Sequence, residues 1–370
     1  MLNVFQQVFI NVADETPINE YRMKAKIKTA IASFGMSGQV FHGPLLKMHP
    51  GFEVIQVLER TKNLSNKFFP EARVVRNFNE IIHNREVELV VVNTPDWLHY
   101  EMAKKAITSG KHVVVEKPVT QRSDEAVHLL QLARENGVLF TVFQNRRWDN
   151  DFLTVKKVIQ SGNLGRLIEF ESHFDRYRTF IKPGTWKEDW EDYSVLHNLG
   201  SHMIDQAYVL FGMPKAVNAV LKIVRNGGKV ADYYDIRLEY SDFSAILKCS
   251  YLVKNPGPRY SIFGEYGTFH KWGIDNQEEN LKAGKLPVGD DWGKEPEKEW
   301  GTLVYEKNGL EFSGKVETIA GNYTAFYNNV FDALQKGNEL AVRPEETIDV
   351  LKILEACLES NQKRKTIKFD

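Results

Sequence analysis

The chain has little of several things that mark out whole classes of protein. Only two cysteines, Cys249 and Cys357, occur in 370 residues, far apart and outside any C-x-x-C pair. A disulfide framework is therefore excluded, and a reduced, cytoplasmic setting is the simplest expectation. No stretch approaches the ~18 apolar residues that a membrane-spanning helix needs. Neither sign of charge is in excess, with 48 Lys and Arg against 49 Asp and Glu. Nucleic-acid binders ordinarily carry a basic surplus, so that class is set aside. What is present suits globular cores: 42% hydrophobic and 26% charged residues. At roughly 150 residues per domain, the length predicts two or three domains.

Residues 1–22 (MLNVFQQVFINVADETPINEYR) open on a short apolar stretch with no preceding Lys or Arg and no small-x-small cleavage site. This is a poor signal peptide, and we expect a loosely attached extension belonging to neither domain. From 23 to 147, strand-like and helix-like segments alternate. Phe52–Leu58 (FEVIQVL), Leu89–Val92 (LVVV) and His112–Val115 (HVVV) read as strands, the last two as fully buried runs. Continuous Val-rich runs separated by helices indicate a parallel sheet covered on both faces, a doubly wound dinucleotide-binding domain of the Rossmann type. Gly110 and Gly137 are expected to end helices, and Ser123 to cap one. From 148 to 370 the texture changes. Five longer alternating runs beginning near 167, 215, 232, 245 and 260 predict an α+β domain with a large, mostly antiparallel open sheet. Residues 276–301 read as a long polar loop, and Glu345–Asn361 as a closing helix.

Four motifs carry chemistry. The turn after the first strand, Ser33-Phe34-Gly35-Met36-Ser37-Gly38, matches a dinucleotide loop in its second and third glycines, with Ser33 in place of the first. Glycines there let the backbone approach a pyrophosphate at a helix start, although two glycines can also be turn chemistry alone. The second strand ends in Glu59-Arg60-Thr61. Glu59 can hold the ribose 2′-hydroxyl of NAD, whereas Arg60 beside Thr61 suits the 2′-phosphate of NADP; NADP is favoured, with NAD the alternative. Asn93-Thr94-Pro95 and Glu116-Lys117-Pro118 stand at the carboxyl ends of two buried strands, the edge at which parallel sheets bind ligands. Finally, Asn198, His202 and Asp205 follow one another at spacings of four and three, so a helix would present them on one face.

These motifs resemble the glucose–fructose oxidoreductase/inositol dehydrogenase (Gfo/Idh/MocA) family. The resemblance rests on G-x-x-G at Gly35 and Gly38, T-P-x-x-x-H at Thr94–His99, E-K-P at Glu116–Pro118 and L-G-S-H-x-x-D at Leu199–Asp205. It covers nearly everything from Lys26 onward. Phe143–Asp149 (FQNRRWD) and Glu171–Arg176 (ESHFDR) are similar to a narrower, NADP-dependent scyllo-inositol dehydrogenase-like branch.

The resemblance implies a nicotinamide-dependent dehydrogenase acting on a secondary hydroxyl of a sugar or cyclitol. It also implies assembly as a homodimer or homotetramer. It assigns Lys117 to orienting the substrate hydroxyl and relaying protons, and His202 to taking the hydroxyl proton. His99 and Arg146 join the cofactor set. Where the family often has Asp, this chain has Asn198, and the lost negative charge should lower the basicity of His202. Asp205 can orient the imidazole instead. Arg147, Trp148, Asp175, Arg176 and Trp186 are candidate substrate contacts, although the tryptophans can equally be core residues and Asp175–Arg176 a structural pair. Two other readings stand beside the dehydrogenase: a cofactor-binding regulator without turnover, and a glycosidase that oxidises and re-reduces its substrate.

Overall fold

The computed structural model describes residues 26–189 and 193–369. The expected extension over 1–22 and the side chain of Trp186 lie outside the described residues. The first sheet contains β1 (Ile27–Ile31), β2 (Phe52–Leu58), β3 (Arg73–Val75), β4 (Leu89–Val92), β5 (His112–Val115) and β6 (Phe140–Val142). All pairings are parallel, in the order β3-β2-β1-β4-β5-β6. Val90, Val91, Val92, Val113, Val114 and Val115 are all fully buried, which is why these strands read as unbroken apolar runs. The chain leaves β1 in one direction to reach β2 and later crosses back to β4. The loops after β1 and β4 therefore part at the switch in strand order and open a crevice at the carboxyl edge.

The helices of this half are α1 (Gly43–Met48), continued forward by one π turn at Gly38–His42, then α2 (Phe78–Ile82), α3 (His99–Thr108) and α4 (Ser123–Glu135). Gly110 and Gly137 adopt positive φ of 74° and 64° just past α3 and α4, as left-handed helix ends require. Ser123 is not the cap: it is the first residue of α4. Its backbone N–H and hydroxyl both donate to the Glu355 carboxylate at 2.7 Å, so a tertiary partner replaces the local cap.

Beyond α5 (Asn150–Gln160) lies a nine-stranded sheet. Its strands are β7 (Leu167–His173), β8 (Ala216–Lys222), β9 (Tyr233–Glu239), β10 (Ser244–Ser250), β11 (Tyr260–Gly264), β12 (Gly267–Lys271), β13 (Gly301–Lys307), β14 (Leu310–Val316) and β15 (Ile367–Lys368). The order is β14-β13-β12-β11-β7-β10-β9-β8-β15, with β7 and β10 parallel and the other pairs antiparallel. The five expected alternating runs correspond to β7 to β11, with β12 to β15 additional. Strand β14 is exposed almost throughout and β15 is two residues long, so neither bears the apolar alternation that betrays a half-buried strand.

Tyr234, Ile236, Leu238, Ala245 and Leu247 on the inner face pack against Met203, Ile204 and Ala207 of α7 (Ser201–Phe211) and Ile353 and Leu354 of α10 (Pro344–Lys363). Between α5 and α7 lies the short α6 (Trp186–Asp189). The stretch 276–301 is not simply a loop: it forms α8 (Gln277–Lys282) and a 3₁₀ turn at Glu297–Glu299. Helix α9 (Thr324–Lys336) follows β14. Leu281, Tyr323, Phe326, Tyr327, Val330 and Leu351 join the core of the first sheet, so the late part of the chain folds back and braces the crevice from the far side.

Candidate active site in the crevice

A cavity of about 460 Å³ sits at the carboxyl edge of the first sheet, where the turn after β1 faces the start of α7. Its lining includes Gly35, Met36 and Ser37, then Arg60, then Asn93, Thr94 and Pro95 after β4, and Glu116 and Lys117 after β5. A wider recess of about 510 Å³ on the other side of Pro118 contains neither Lys117 nor His202, and the chemistry described below belongs to the smaller cavity.

The dinucleotide turn is built for close approach. A Cβ at Gly38 would lie 2.5 Å from the Ser33 carbonyl oxygen, so only glycine lets the helix start this near β1. Asn93 donates through Nδ2 to that same carbonyl at 2.8 Å. Its Oδ1 and the Thr94 hydroxyl oxygen are buried without hydrogen-bond partners beside the cavity. Backbone glycines, orphaned polar atoms and an exposed Arg60 at the rim fit the amide, ribose and phosphate groups of a nicotinamide dinucleotide. Residues 33–38, 93–95 and 116–117 would hold it.

Lys117 reaches across from β5 to the π turn that opens α7. Its Nζ donates to the Asn198 carbonyl at 2.6 Å, with Asn198 Oδ1 at 3.4 Å. Burial lowers the Lys117 ammonium to about 7, with the Lys187 and Arg146 cations adding to the effect against the pull of Glu116. His202 lines the same cavity one helical turn beyond Asn198. It is 6% exposed, and its Nδ1 is buried with no hydrogen-bond partner. Burial, reinforced by Lys117, Arg146 and Arg259, holds this imidazole well below its ordinary range, so it is neutral. Glu116 backs the pair: it accepts from the Lys117 N–H at 3.0 Å and faces His42 Nε2 at 3.3 Å, while His42 Nδ1 meets the Tyr327 hydroxyl at 2.7 Å. Burial opposes the Glu116 charge, but His42 and Lys117 together hold its carboxyl below the usual value.

Several expected site residues are engaged elsewhere. Phe34 is buried and packs edge-on against Phe68 at 5.4 Å, contributing no side chain to the cavity. Glu59 turns back into its own loop, where its carboxylate accepts from the N–H groups of Leu64 and Ser65 and from the Ser65 hydroxyl at 2.6–2.9 Å. Thr61 does not line the cavity, whereas Arg60 does. His99 does line the cavity, with both ring nitrogens held by carbonyls, Pro118 and Thr94, at 2.8 Å, so it stitches the two ligand-side loops together.

Asp205 does not orient His202. It receives a bidentate pair from Arg147, with Nε at 2.9 Å and Nη2 at 2.7 Å, and Arg147 also donates to Glu346 at 2.7 Å. Arg147 is thus a buried clamp between α7 and α10 rather than a substrate contact. Trp148 packs on the first core against Phe326, and Asp175 accepts from the Ser250 N–H at 2.9 Å and faces His173. Neither lines the cavity. Arg146 and Arg176 do. Arg146 is shared between Asp149 and Glu278, with its guanidinium 5.1 Å from the Phe174 ring centre.

Lys187, Tyr193 and Glu278 line the cavity without having been expected there. Glu278 sits in the stretch read as loop, and nothing local distinguishes it from neighbouring surface carboxylates. Lys187 and Tyr193 follow the Trp186 position that did draw notice, one and seven residues on.

Known proteins place this arrangement. Residues 27–144 match the family description "Oxidoreductase family, NAD-binding Rossmann fold", and residues 156–369 match "Oxidoreductase family, C-terminal alpha/beta domain" of the same family. The chain is 38% identical to the Bacillus subtilis scyllo-inositol 2-dehydrogenase (NADP(+)) IolW, across 93% of this chain and 96% of the relative. It is 38% identical to the Schizosaccharomyces pombe oxidoreductase C115.03, across 93% and 99%. Among solved structures, the Bacillus subtilis oxidoreductase YvaA superimposes with a TM-score of 0.91 at 38% identity, covering 94% of this chain and 99% of that one. An oxidoreductase from Bacteroides fragilis does so with a TM-score of 0.86 at 44% identity, covering 93% and 100%. The chain belongs to the Gfo/Idh/MocA oxidoreductase family, with an NAD-binding Rossmann half and the family's C-terminal α/β half.

Proposed function

We propose that this protein is an NADP-preferring dehydrogenase that interconverts a secondary hydroxyl of a sugar or cyclitol and its ketone, with Lys117 as the proton-transfer group. The observation that carries this reading is the convergence of Lys117, Asn198 and His202 on the cavity that also contains the dinucleotide turn. The name of the Bacillus subtilis relative supports the polyol substrate and the NADP preference.

When bound, the nicotinamide supplies the acceptor for the hydride that leaves the carbinol carbon. The chain's own part is the proton. A general base works best when its pKa lies near the working pH. Burial and the surrounding cations lower His202, and with Asn198 in place of a carboxylate there is no negative charge at that position to favour its protonated form. Lys117, at about 7, is tuned for the task. As the neutral amine it accepts the hydroxyl proton during oxidation, and as the ammonium it returns one to the carbonyl oxygen during reduction. Its bond to the Asn198 carbonyl aims the amine into the cavity. His202 stays neutral and offers a hydrogen bond to the same oxygen.

The cofactor preference follows from the end of β2. With the Glu59 carboxylate committed to Leu64 and Ser65, the group at the cavity rim is the Arg60 cation, which favours a 2′-phosphate over a bare 2′-hydroxyl. Arg60→Ala is therefore expected to raise the Kd for NADP at least tenfold while leaving that for NAD within about twofold, measured by fluorescence or calorimetric titration. Equal weakening of both would reject Arg60 as the discriminating group. The reading as a whole is tested by following nicotinamide absorbance with purified protein, NADP or NAD, and a panel of inositols, hexoses and their derivatives. Tight cofactor binding without turnover on any member would favour the regulatory alternative.

A further inference from the structure

A second cavity of about 310 Å³ continues from the first, and Met36, Arg176, Lys187, Tyr193, Asn198 and Glu278 line both. It joins the first cavity between Met36 of the dinucleotide turn and Asn198, the residue that holds Lys117, so it is open to a molecule seated against Lys117. Among the described residues its charges do not balance: three carboxylates line it, Glu188, Asp232 and Glu278, and each is already ion-paired. Arg225 takes both Glu188 and Asp232, at 2.8 Å and 2.6 Å. Glu278 is shared by Arg146 and Lys282.

Arg176, Arg178 and Lys182 also line the cavity; among the described residues none of the three is within ion-pair distance of a carboxylate, and Arg176 acts only at longer range, helping to hold the Glu278 carboxyl low. Arg176 and Arg178 are two apart on the extended chain that runs on from β7, with backbone N–H groups bonded to Ser250 and Tyr251 carbonyls. That spacing sends both side chains to one side, while the intervening Tyr177 is exposed. Each guanidinium rests over an aromatic ring, Arg176 over Phe174 at 5.4 Å and Arg178 over Tyr251 at 5.3 Å, which fixes its direction without neutralising it. Two guanidinia on one side of a single extended segment, with Lys182 lining the same cavity, suit a carboxylate or phosphate, the groups that arginine binds in bidentate fashion.

We infer that the substrate is an anionic polyol, a sugar or cyclitol bearing a carboxylate or phosphate group, whose charged end is received by Arg176, Arg178 and Lys182 while its hydroxyl faces Lys117. This rests on the dehydrogenase reading and narrows its substrate class. The near-equal totals of acidic and basic residues do not oppose it, because the described residues of this cavity carry a local cationic surplus.

The test uses matched sets at saturating NADP: D-glucose, D-glucuronate and D-glucose 6-phosphate, with myo-inositol and its 1-phosphate. In at least one set, kcat/KM for an anion should exceed that of its neutral parent by tenfold or more, and the carboxylate and phosphate arms identify which anion is preferred. Arg178→Gln should collapse that ratio to within about threefold. Neutral parents that equal or exceed their anions in every set would overturn the inference, as would an Arg178→Gln variant that keeps the ratio. So would one whose sole defect is weaker NADP binding, because the cations would then serve the cofactor. If no member is turned over, calorimetry of the NADP-bound protein with glucuronate and glucose 6-phosphate separates the two claims. Arg178-dependent binding would retain the anion receptor and reject the dehydrogenase reading, and no binding of either would overturn the receptor.

Discussion

Lys117→Ala is expected to lower kcat for polyol oxidation by at least ~100-fold, the usual scale for losing a positioned acid–base group. Lys117→Arg should not restore it. A guanidinium cannot give up its proton in this range, so it can neither accept the hydroxyl proton nor titrate near neutrality. Most of the groups expected to hold the cofactor belong to residues 33–38 and 93–95 and not to Lys117, so NADP should still bind both variants, if more weakly, and titration of the dinucleotide checks this independently of turnover. His202→Ala should also be slower, because a hydrogen bond to the reacting oxygen is lost, but it should keep the same pH dependence. An alanine variant at Lys117 with near-normal kcat would remove that residue from the chemistry.

The second large effect concerns stability. Arg147→Ala leaves Asp205 buried beside Glu346 with its bidentate partner gone. Burial already pushes the Asp205 carboxyl upward, and Arg147 is what opposes that. Breaking a buried pair from one side typically costs ~3–5 kcal/mol, whereas replacing both partners with apolar groups is often neutral. Arg147→Ala should therefore unfold at markedly lower denaturant concentration, and Arg147→Met with Asp205→Leu should recover most of the loss. If Arg147→Ala instead keeps full stability and raises KM alone, the side chain belongs to substrate binding after all.

The contrast between Arg146 and Arg147 shows where sequence reading stops. They are adjacent, both nearly fully buried and both paired, yet one lines the cavity and the other locks α7 to α10. They belong to a tight turn at Asn145–Trp148, where successive side chains splay in different directions, and no local pattern says which direction meets the crevice. Glu59 is similar. An acid at the end of the second strand is the right residue at the right spacing, but the following Leu64–Lys67 turn doubles back to capture it. Motifs defined by backbone geometry were more legible. Gly35, Gly38 and the turns after β4 and β5 lie where the pattern of Val-rich strands put them, because a parallel sheet brings its strand ends to one edge. Glu278, Lys187 and Tyr193 reach the cavity by tertiary folding alone.

The most direct test of the account is the pH dependence of kcat/KM for oxidation of the preferred polyol at saturating NADP. If Lys117 must be unprotonated, the rate should rise through about pH 7 and level off above it, with reduction falling through the same window. Asn198→Asp would put a carboxylate within reach of Nζ, favour the ammonium and move the oxidation limb to higher pH. A limb near 7 that shifts upward in Asn198→Asp and disappears in Lys117→Arg is the predicted result. A profile without a limb near 7, or one whose limb is lost in His202→Ala and kept in Lys117→Arg, would contradict it.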